Sequence, residues 1–442
     1  MNGAARAGIP DSRGSAGRRT TRAPPDTPAP GMTDPTMSRK PAAALLASFA
    51  LFLPAADARG GGTEIPNQGA AAAAQAEAFA AQADDPSAIY YNPAGLTQLR
   101  GTHVSSGIYG VFPEWRFDAD EGPGQAMRLP SLLPHVYATT DFGTDRWRFG
   151  FGVNNVFGMN EDWGDKGPLR FLSDQAQLAV LNLQPTVAYQ LTDNVSVGVG
   201  FNFYFGQLMM TRQALLGPPP IPEGSFHFRG SAWSYGVSPG ILWRINDRHT
   251  LAAVYRTPFT LDFGGDANIK ARGIPTIGPS RSHVTIDFPQ IITLAYAVRP
   301  VEPLKVEVDV VWTDWDTLDS VRLSSGNPAF NGINMRSDWM SGFSYRLGVQ
   351  YDLDEHWALR AGYAFGQNAI PAETYSPLVP DSNYHLFTLG VGYKAARWAL
   401  DAAYQFAYRE RREIDNHIAS PVVDGQWENR IHTLMLTLTV QL

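Results

Sequence analysis

Apolar and polar residues alternate along most of this chain with the period of a β-strand. In one stretch Ala179, Leu181, Leu183, Pro185, Val187, Tyr189 and Leu191 share one face, while Asn182, Gln184, Thr186, Ala188 and Gln190 share the other. After Thr192-Asp193-Asn194 the pattern restarts, with Val195, Val197, Val199, Phe201, Phe203 and Phe205 set against Ser196, Gly198, Gly200, Asn202, Tyr204 and Gly206. Successive side chains of a strand point to opposite faces, so each strand has one apolar face and one small or polar face. Strands of soluble sandwiches average about five or six residues. These run well past that, long enough to cross a bilayer at a tilt.

The same reading predicts strands near 103–117, 132–142, 146–158, 175–191, 195–208, 226–245 and 249–262, then near 282–299, 303–325, 338–353, 357–367, 383–394, 397–409 and 430–442. That is an even set of fourteen. Tight links at Phe142 to Asp145, Thr192 to Asn194, Asn246 to Arg248, Pro300 to Glu302, Asp354 to His356 and Lys394 to Ala396 alternate with longer connections such as 209–225, 263–281 and 410–429. Short turns on one side and long loops on the other are expected of an antiparallel transmembrane β-barrel. Trp233 and Trp243, or Trp357 and Phe365, fall near strand ends, as interfacial girdles require. The last strand carries Leu434, Leu436, Leu438, Val440 and Leu442 on one face. Lipid offers no partners to an open sheet edge, so such strands must close.

One long apolar run, Ala42 to Ala56, follows Arg39-Lys40 and precedes Ala56-Asp57-Ala58. It is too short for a spanning helix, which needs about 20 residues, and has the three-part form of a secretory signal peptide over 37–58. Residues 1–36, rich in Arg, Pro and Gly, read as disordered sequence or a start placed upstream of Met37 or Met32. Seven basic and four acidic residues precede Arg59, so of 35 basic and 42 acidic residues 28 and 38 remain, a net charge of −10. That balance opposes nucleic acid as a partner, because phosphate binding needs a basic patch. The chain has no cysteine, hence no disulfide framework and no thiol chemistry.

Residues 59–101, ahead of a barrel spanning 102–442, differ in character. Asn67-Gln68-Gly69 leads into the alanine-rich run Ala70 to Ala83, then Asp84-Asp85-Pro86-Ser87-Ala88-Ile89-Tyr90-Tyr91-Asn92-Pro93-Ala94-Gly95-Leu96. Alanine favours helix, and the Pro and Gly positions impose turns. This segment resembles the N-terminal hatch of FadL-type long-chain fatty acid transporters. Further matches follow in order: Val153 to Gly158, Leu183 to Tyr189, Tyr255-Arg256-Thr257-Pro258, Asp309 to Trp315, Tyr345-Arg346-Leu347-Gly348, Leu359 to Tyr363, and Pro380-Asp381. The resemblance implies an all-β, fourteen-stranded barrel plugged by a hatch with short helices, carrying hydrophobic molecules through the outer membrane of a Gram-negative bacterium. A monomer is expected, with a fatty acid or other hydrophobic ligand, outer-membrane lipid and lipopolysaccharide, and the barrel assembly machinery as partners. No cofactor or metal is called for.

Candidate chemistry falls into four groups. Asn92, Pro93, Ala94 and Gly95 form the hatch motif. Met209, Met210, Leu215, Leu216 and Ile221 lie in the connection 209–225, whose apolar composition suits capture of a hydrophobic solute. Lys305, Arg346 and Arg360 face the lumen by parity and suit a carboxylate. On the strand beginning at Trp147, strict alternation would place Asn155 against lipid, an unfavourable place for an amide. A bulge is therefore expected, and Asn154, Asn155 and Gly158 become candidates for framing a sideways exit, which the family's third strand provides. The same route serves aromatic hydrocarbons in some relatives. Two other classes compete: a porin for polar solutes, which needs no hatch, and a barrel hydrolase. The histidines are scattered without motif. Gly236-Val237-Ser238-Pro239-Gly240 matches G-x-S-x-G but lies within an alternating strand, without the strand-to-helix elbow that motif requires.

Overall fold

The computed structural model of the chain describes residues 62–217, 221–330, 334–415 and 423–442. The expected signal peptide at 37–58, the stretch before it, and Pro218 to Pro220 of the expected capture loop lie outside the described residues. No helix of the described residues is long and apolar enough to cross a membrane. The membrane is crossed by strands instead.

Nineteen strand segments form one sheet that closes on itself: β1 (His103–Ala119), β2 (Gln125–Met127), β3 (Ser131–Thr140), β4 (Trp147–Asp162), β5 (Gln175–Gln190), β6 (Val195–Ala214), β7 (Gly224–Asn246), β8 (His249–Arg256), β9 (Phe259–Ala271), β10 (Ile274–Phe288), β11 (Ile291–Val301), β12 (Leu304–Thr313), β13 (Ser320–Ser325), β14 (Asn334–Arg336), β15 (Gly342–Asp352), β16 (Trp357–Gly366), β17 (Tyr384–Lys394), β18 (Trp398–Ile414) and β19 (Gly425–Gln441). Closure is antiparallel, His103 of β1 facing Gln441 of β19 and Ala119 facing Gly425. The segments resolve into fourteen staves, because four staves are interrupted and β2 is a short accessory.

The interruptions correct the predicted strands. The stretch 249–262 breaks at Thr257-Pro258 between β8 and β9, and 282–299 breaks at Pro289-Gln290 between β10 and β11. Proline has no N–H for the ladder and is confined to edges and breaks. The stretch 303–325 breaks at the 3-10 turn Trp315–Thr317. The outer connections are likewise shorter than expected. Most of 263–281 is a ribbon in which β9 pairs with β10, and β6 and β7 pair from Val195↔Trp243 out to Ala214↔Gly224.

Outward faces carry Leu434, Leu436 and Leu438, exposed on β19, and Trp147, Trp243, Trp357 and Trp398 stand exposed beside the tight turns. That is the girdle placement of a barrel whose short turns face the periplasm. At one such turn Asp141 accepts from Gly101 N at 2.7 Å and Gly143 N at 2.9 Å, and these donors hold its carboxyl below the usual range.

Candidate functional site

The hatch is built to be filled around. Its short helices, Ala70–Ala73 and Ala88–Tyr91, and the 3-10 turn Pro93–Gln98 are almost wholly buried inside the barrel. Small side chains on both partners make the fit possible. A Cβ at Gly362 would lie 2.4 Å from the Gln75 carbonyl carbon, and one at Gly198 2.4 Å from that of Pro93. The polar-side glycines of the strands are thus seats for the hatch backbone.

The hatch motif sits at the centre of that seating. Asn92 donates to Ala80 O at 2.8 Å and to Ile241 O of β7 at 3.2 Å, and its Oδ1 accepts from Ala94 N. Pro93 opens the 3-10 turn, Ala94 is fully buried, and Gly95 lies so near Ala83 that a Cβ would meet its carbonyl oxygen at 2.5 Å. Two barrel carboxylates on β12 complete the anchorage. Asp309 accepts from Phe79 N and Ala80 N at 3.2 and 3.3 Å, and Glu307 from Ala81 N and Gln82 N at 2.6 and 2.8 Å. Parity alone puts these acids in the lumen, but only the fold brings the hatch amides to them.

β4 is bulged, with a register shift against β5 between Asn155 and Phe157. Even-numbered Arg148, Gly152 and Asn154 are buried before the shift, odd-numbered Phe157 and Glu161 after it. The extra residue reverses parity, and Asn155 is not left against lipid: it lines a lumenal cavity. β3 pairs with β4 only from Val136↔Val153 to Thr140↔Phe149, whereas β5 follows β4 to Asp162. Beyond Val153 the β3 edge of β4 is taken instead by the hatch. Ile65 N donates to Val156 O and Gly158 N to Thr63 O, both at 2.9 Å, forming a bridge between Glu64 and Phe157. Gly158 matters by close approach rather than backbone freedom, since a Cβ there would lie 2.9 Å from Ile65 Cδ1. Gln68, which the sequence reading did not single out, ties the two together. Its Nε2 donates to Asn155 O at 2.5 Å, and its Oε1 accepts from Asn154 Nδ2 at 2.9 Å and from Tyr137 OH of β3 at 3.3 Å.

The cavity has a volume of about 570 Å³ and lies between the hatch arm 62–67 and the inner faces of β1, β3, β4, β5, β15 and β17 to β19. Its apolar wall includes Val111, Leu133, Phe157, Leu178, Leu386 and Ile431. The three lumenal cations are not equivalent. Lys305 pairs with Asp84 of the hatch at 2.8 Å, and Arg360 with Asp401 at 2.7 Å. Arg346 lines the cavity, donates to Glu77 O at 3.4 Å and has no ion pair among the described residues. Of the expected capture residues, Met209 and Met210 are not in a loop. They extend β6, paired with Arg229 and Phe228, because the β6–β7 ladder runs on to Ala214↔Gly224. Leu216 lies in the remaining turn beside Gly224, and Leu215 and Ile221 are exposed there.

A closed antiparallel barrel with a buried plug and a partly apolar lumenal cavity defines the class: an outer-membrane channel protein with an occluded lumen. The family described as outer membrane protein transport protein (OMPP1/FadL/TodX) matches residues 51–441, and the chain belongs to it. It is 22% identical over 358 residues to the long-chain fatty acid transport protein of Escherichia coli (strain K12), covering 70% of this chain and 79% of that one. It is also 22% identical over 380 residues to outer membrane protein P1 of Haemophilus influenzae (strain Rd), covering 74% and 81%. In fold it is similar to a Pseudomonas aeruginosa FadL homologue (TM-score 0.76, 18% identity, 86% of this chain and 100% of that one) and to the P. putida toluene transporter TodX (TM-score 0.67, 16% identity, 85% and 98%).

Proposed function

We propose that the chain takes up long-chain carboxylic acids, caught near Leu215, Leu216, Ile221 and the ends of β6 and β7, held in the lumenal cavity, and released sideways beside β4. The observation that carries the cargo assignment is Arg346: a buried guanidinium without an ion pair among the described residues, on the wall of a cavity lined by both apolar and polar side chains. Asp309 faces Arg346 across the β12–β15 ladder without an ion-pair contact among the described residues, and a carboxylate is the natural complement of a buried guanidinium. The cavity volume falls in the range of about 300–1,000 Å³ usual for ligand sites. Lys305 and Arg360 serve the hatch and the barrel instead, each through its own carboxylate partner. An aromatic hydrocarbon, the cargo named for TodX, would leave Arg346 unmatched. A general porin fits poorly with a lumen filled by residues 62–100.

The exit reading is supported by the short β3–β4 ladder and by the hatch arm that occupies the vacated edge. Asn154, Asn155 and Gly158 frame that gap, through their contacts with Gln68 and Ile65. The cargo assignment is tested with Arg346→Gln. Its affinity for stearic acid, read by calorimetry on detergent-solubilised protein, is expected to fall about ten- to hundredfold, the value of a charge-assisted hydrogen-bond pair. Toluene affinity should stay the same. Unchanged stearate binding, or equal losses for both ligands, would overturn the assignment to Arg346.

A further inference from the structure

Four charged side chains line the cavity: Glu64, Glu161, Arg346 and Arg409. Glu64 lies 3.8 Å from Arg256, and Arg409 is paired with Asp381. Glu161, like Arg346, has no ion pair among the described residues. It is 4% exposed, and its buried Oε2 has no hydrogen-bond partner. Trp163 is hydrogen-bonded to the Glu161 carboxyl as well as donating its indole N–H to Pro377 O at 3.0 Å, so the oxygen left without a partner is Oε2. Around Glu161, Asn160 donates to Ser131, and Gln125 to Trp163 O. A buried carboxyl oxygen without a partner is costly to keep, and a valine or leucine at this position would extend the apolar wall without that penalty.

We infer that Glu161 is a specificity residue, which accepts a hydrogen bond from a hydroxyl group carried on the chain of the cargo while Arg346 holds the carboxylate. The inference rests on the reading of this cavity as the cargo site. The two groups differ in what they can bind: a guanidinium only donates, whereas a carboxyl oxygen accepts. A plain saturated acid satisfies the first and leaves the second bare. A hydroxylated long-chain acid satisfies both. A hydroxyl is also far less costly to bring out of water than an ammonium group, so a neutral donor suits this buried position better than a second charge. Register supports separate contacts for the two groups. Glu161 stands near the outer end of β4, opposite Ala176 of β5, whereas Arg346 lies on β15 opposite Asp309 of β12 and Ala364 of β16, on another part of the wall.

The test compares stearic acid with its mid-chain hydroxylated analogue, by calorimetry on the full-length detergent-solubilised protein. The wild type is expected to bind the hydroxylated acid about fivefold more tightly, the usual value of one hydrogen bond. Glu161→Leu should bind the two acids equally, and Glu161→Gln, which keeps an acceptor oxygen, should retain part of the preference. Equal affinities in the wild type, or a preference that survives Glu161→Leu, would overturn the inference and leave carboxylic acid uptake standing. If the wild type binds neither acid, the cargo reading itself fails and takes this inference with it.

Discussion

Replacing both Glu307 and Asp309 by alanine is expected to loosen the hatch and make the barrel leak small polar solutes. The four hatch N–H groups of residues 79–82 lose their acceptors together. Each unsatisfied buried donor costs roughly 1–3 kcal/mol. Part of that is offset, because the buried carboxylates no longer carry their own desolvation cost. A net loss of about 3 kcal/mol in local stability remains, confined to the plug, since the β11–β12 and β12–β15 ladders run through backbone atoms that the substitutions leave in place. Liposome swelling with sugars reads the leak, and amide exchange at residues 79–82 reads the loosening. A sealed barrel with unchanged protection at those amides would mean that the carboxylates do not hold the plug.

A disulfide between the hatch arm and β4 is expected to stop uptake. Glu64 and Phe157 face each other in the bridge between the two hydrogen bonds Ile65 N→Val156 O and Gly158 N→Thr63 O. Such a non-hydrogen-bonded antiparallel pair has Cα atoms about 4.5 Å apart, inside the roughly 4.4–6.8 Å that a disulfide spans. The chain has no native cysteine, so Glu64→Cys with Phe157→Cys introduces the only possible pair. If cargo leaves sideways past this arm, the oxidised protein should import stearate no faster than cells lacking the protein, and reductant should restore uptake. The reduced double variant is the control for the lost Glu64–Arg256 contact and for the hole left by Phe157, which packs near Phe259, Phe288 and Trp315. Equal uptake by the oxidised and reduced forms at equal surface expression would place the exit elsewhere.

Most of the barrel was legible along the chain because the signal is local. A strand between lipid and a filled lumen must alternate at every step, so β5 and β6 could be read residue by residue, and the tight turns separated one stave from the next. The boundaries failed where a non-local partner decided them. Met209 and Met210 read as loop because their alternation gives no sign of where the membrane ends. β6 continues through them because its ladder with β7 runs on to Ala214↔Gly224, with Met210 opposite Phe228 and packed on the cluster that holds it. Thr257-Pro258 did carry a local breaker, and there the long predicted strand gave way to it.

The site was legible only in outline. Parity correctly turned Lys305, Arg346 and Arg360 toward the lumen, but parity gives a face and not a partner. Only the packing of the hatch against the wall occupies Lys305 with Asp84, and only the approach of β16 to β18 across β17 occupies Arg360 with Asp401, leaving Arg346 on the cavity. The bulge could be inferred from one misplaced amide, Asn155. What fills the edge it opens could not, because Thr63 to Ile65 and Gln68 lie some ninety residues earlier in the chain and carry no pattern of their own. By itself the sequence determined that the chain crosses a membrane as a closed sheet with a small-residue plug, since backbone satisfaction in lipid permits no open edge. The tertiary structure alone decided which charges are spent on holding that plug and which face the cavity without an ion pair among the described residues, because buried charges are assigned by distances across the lumen, and those depend on the whole barrel at once.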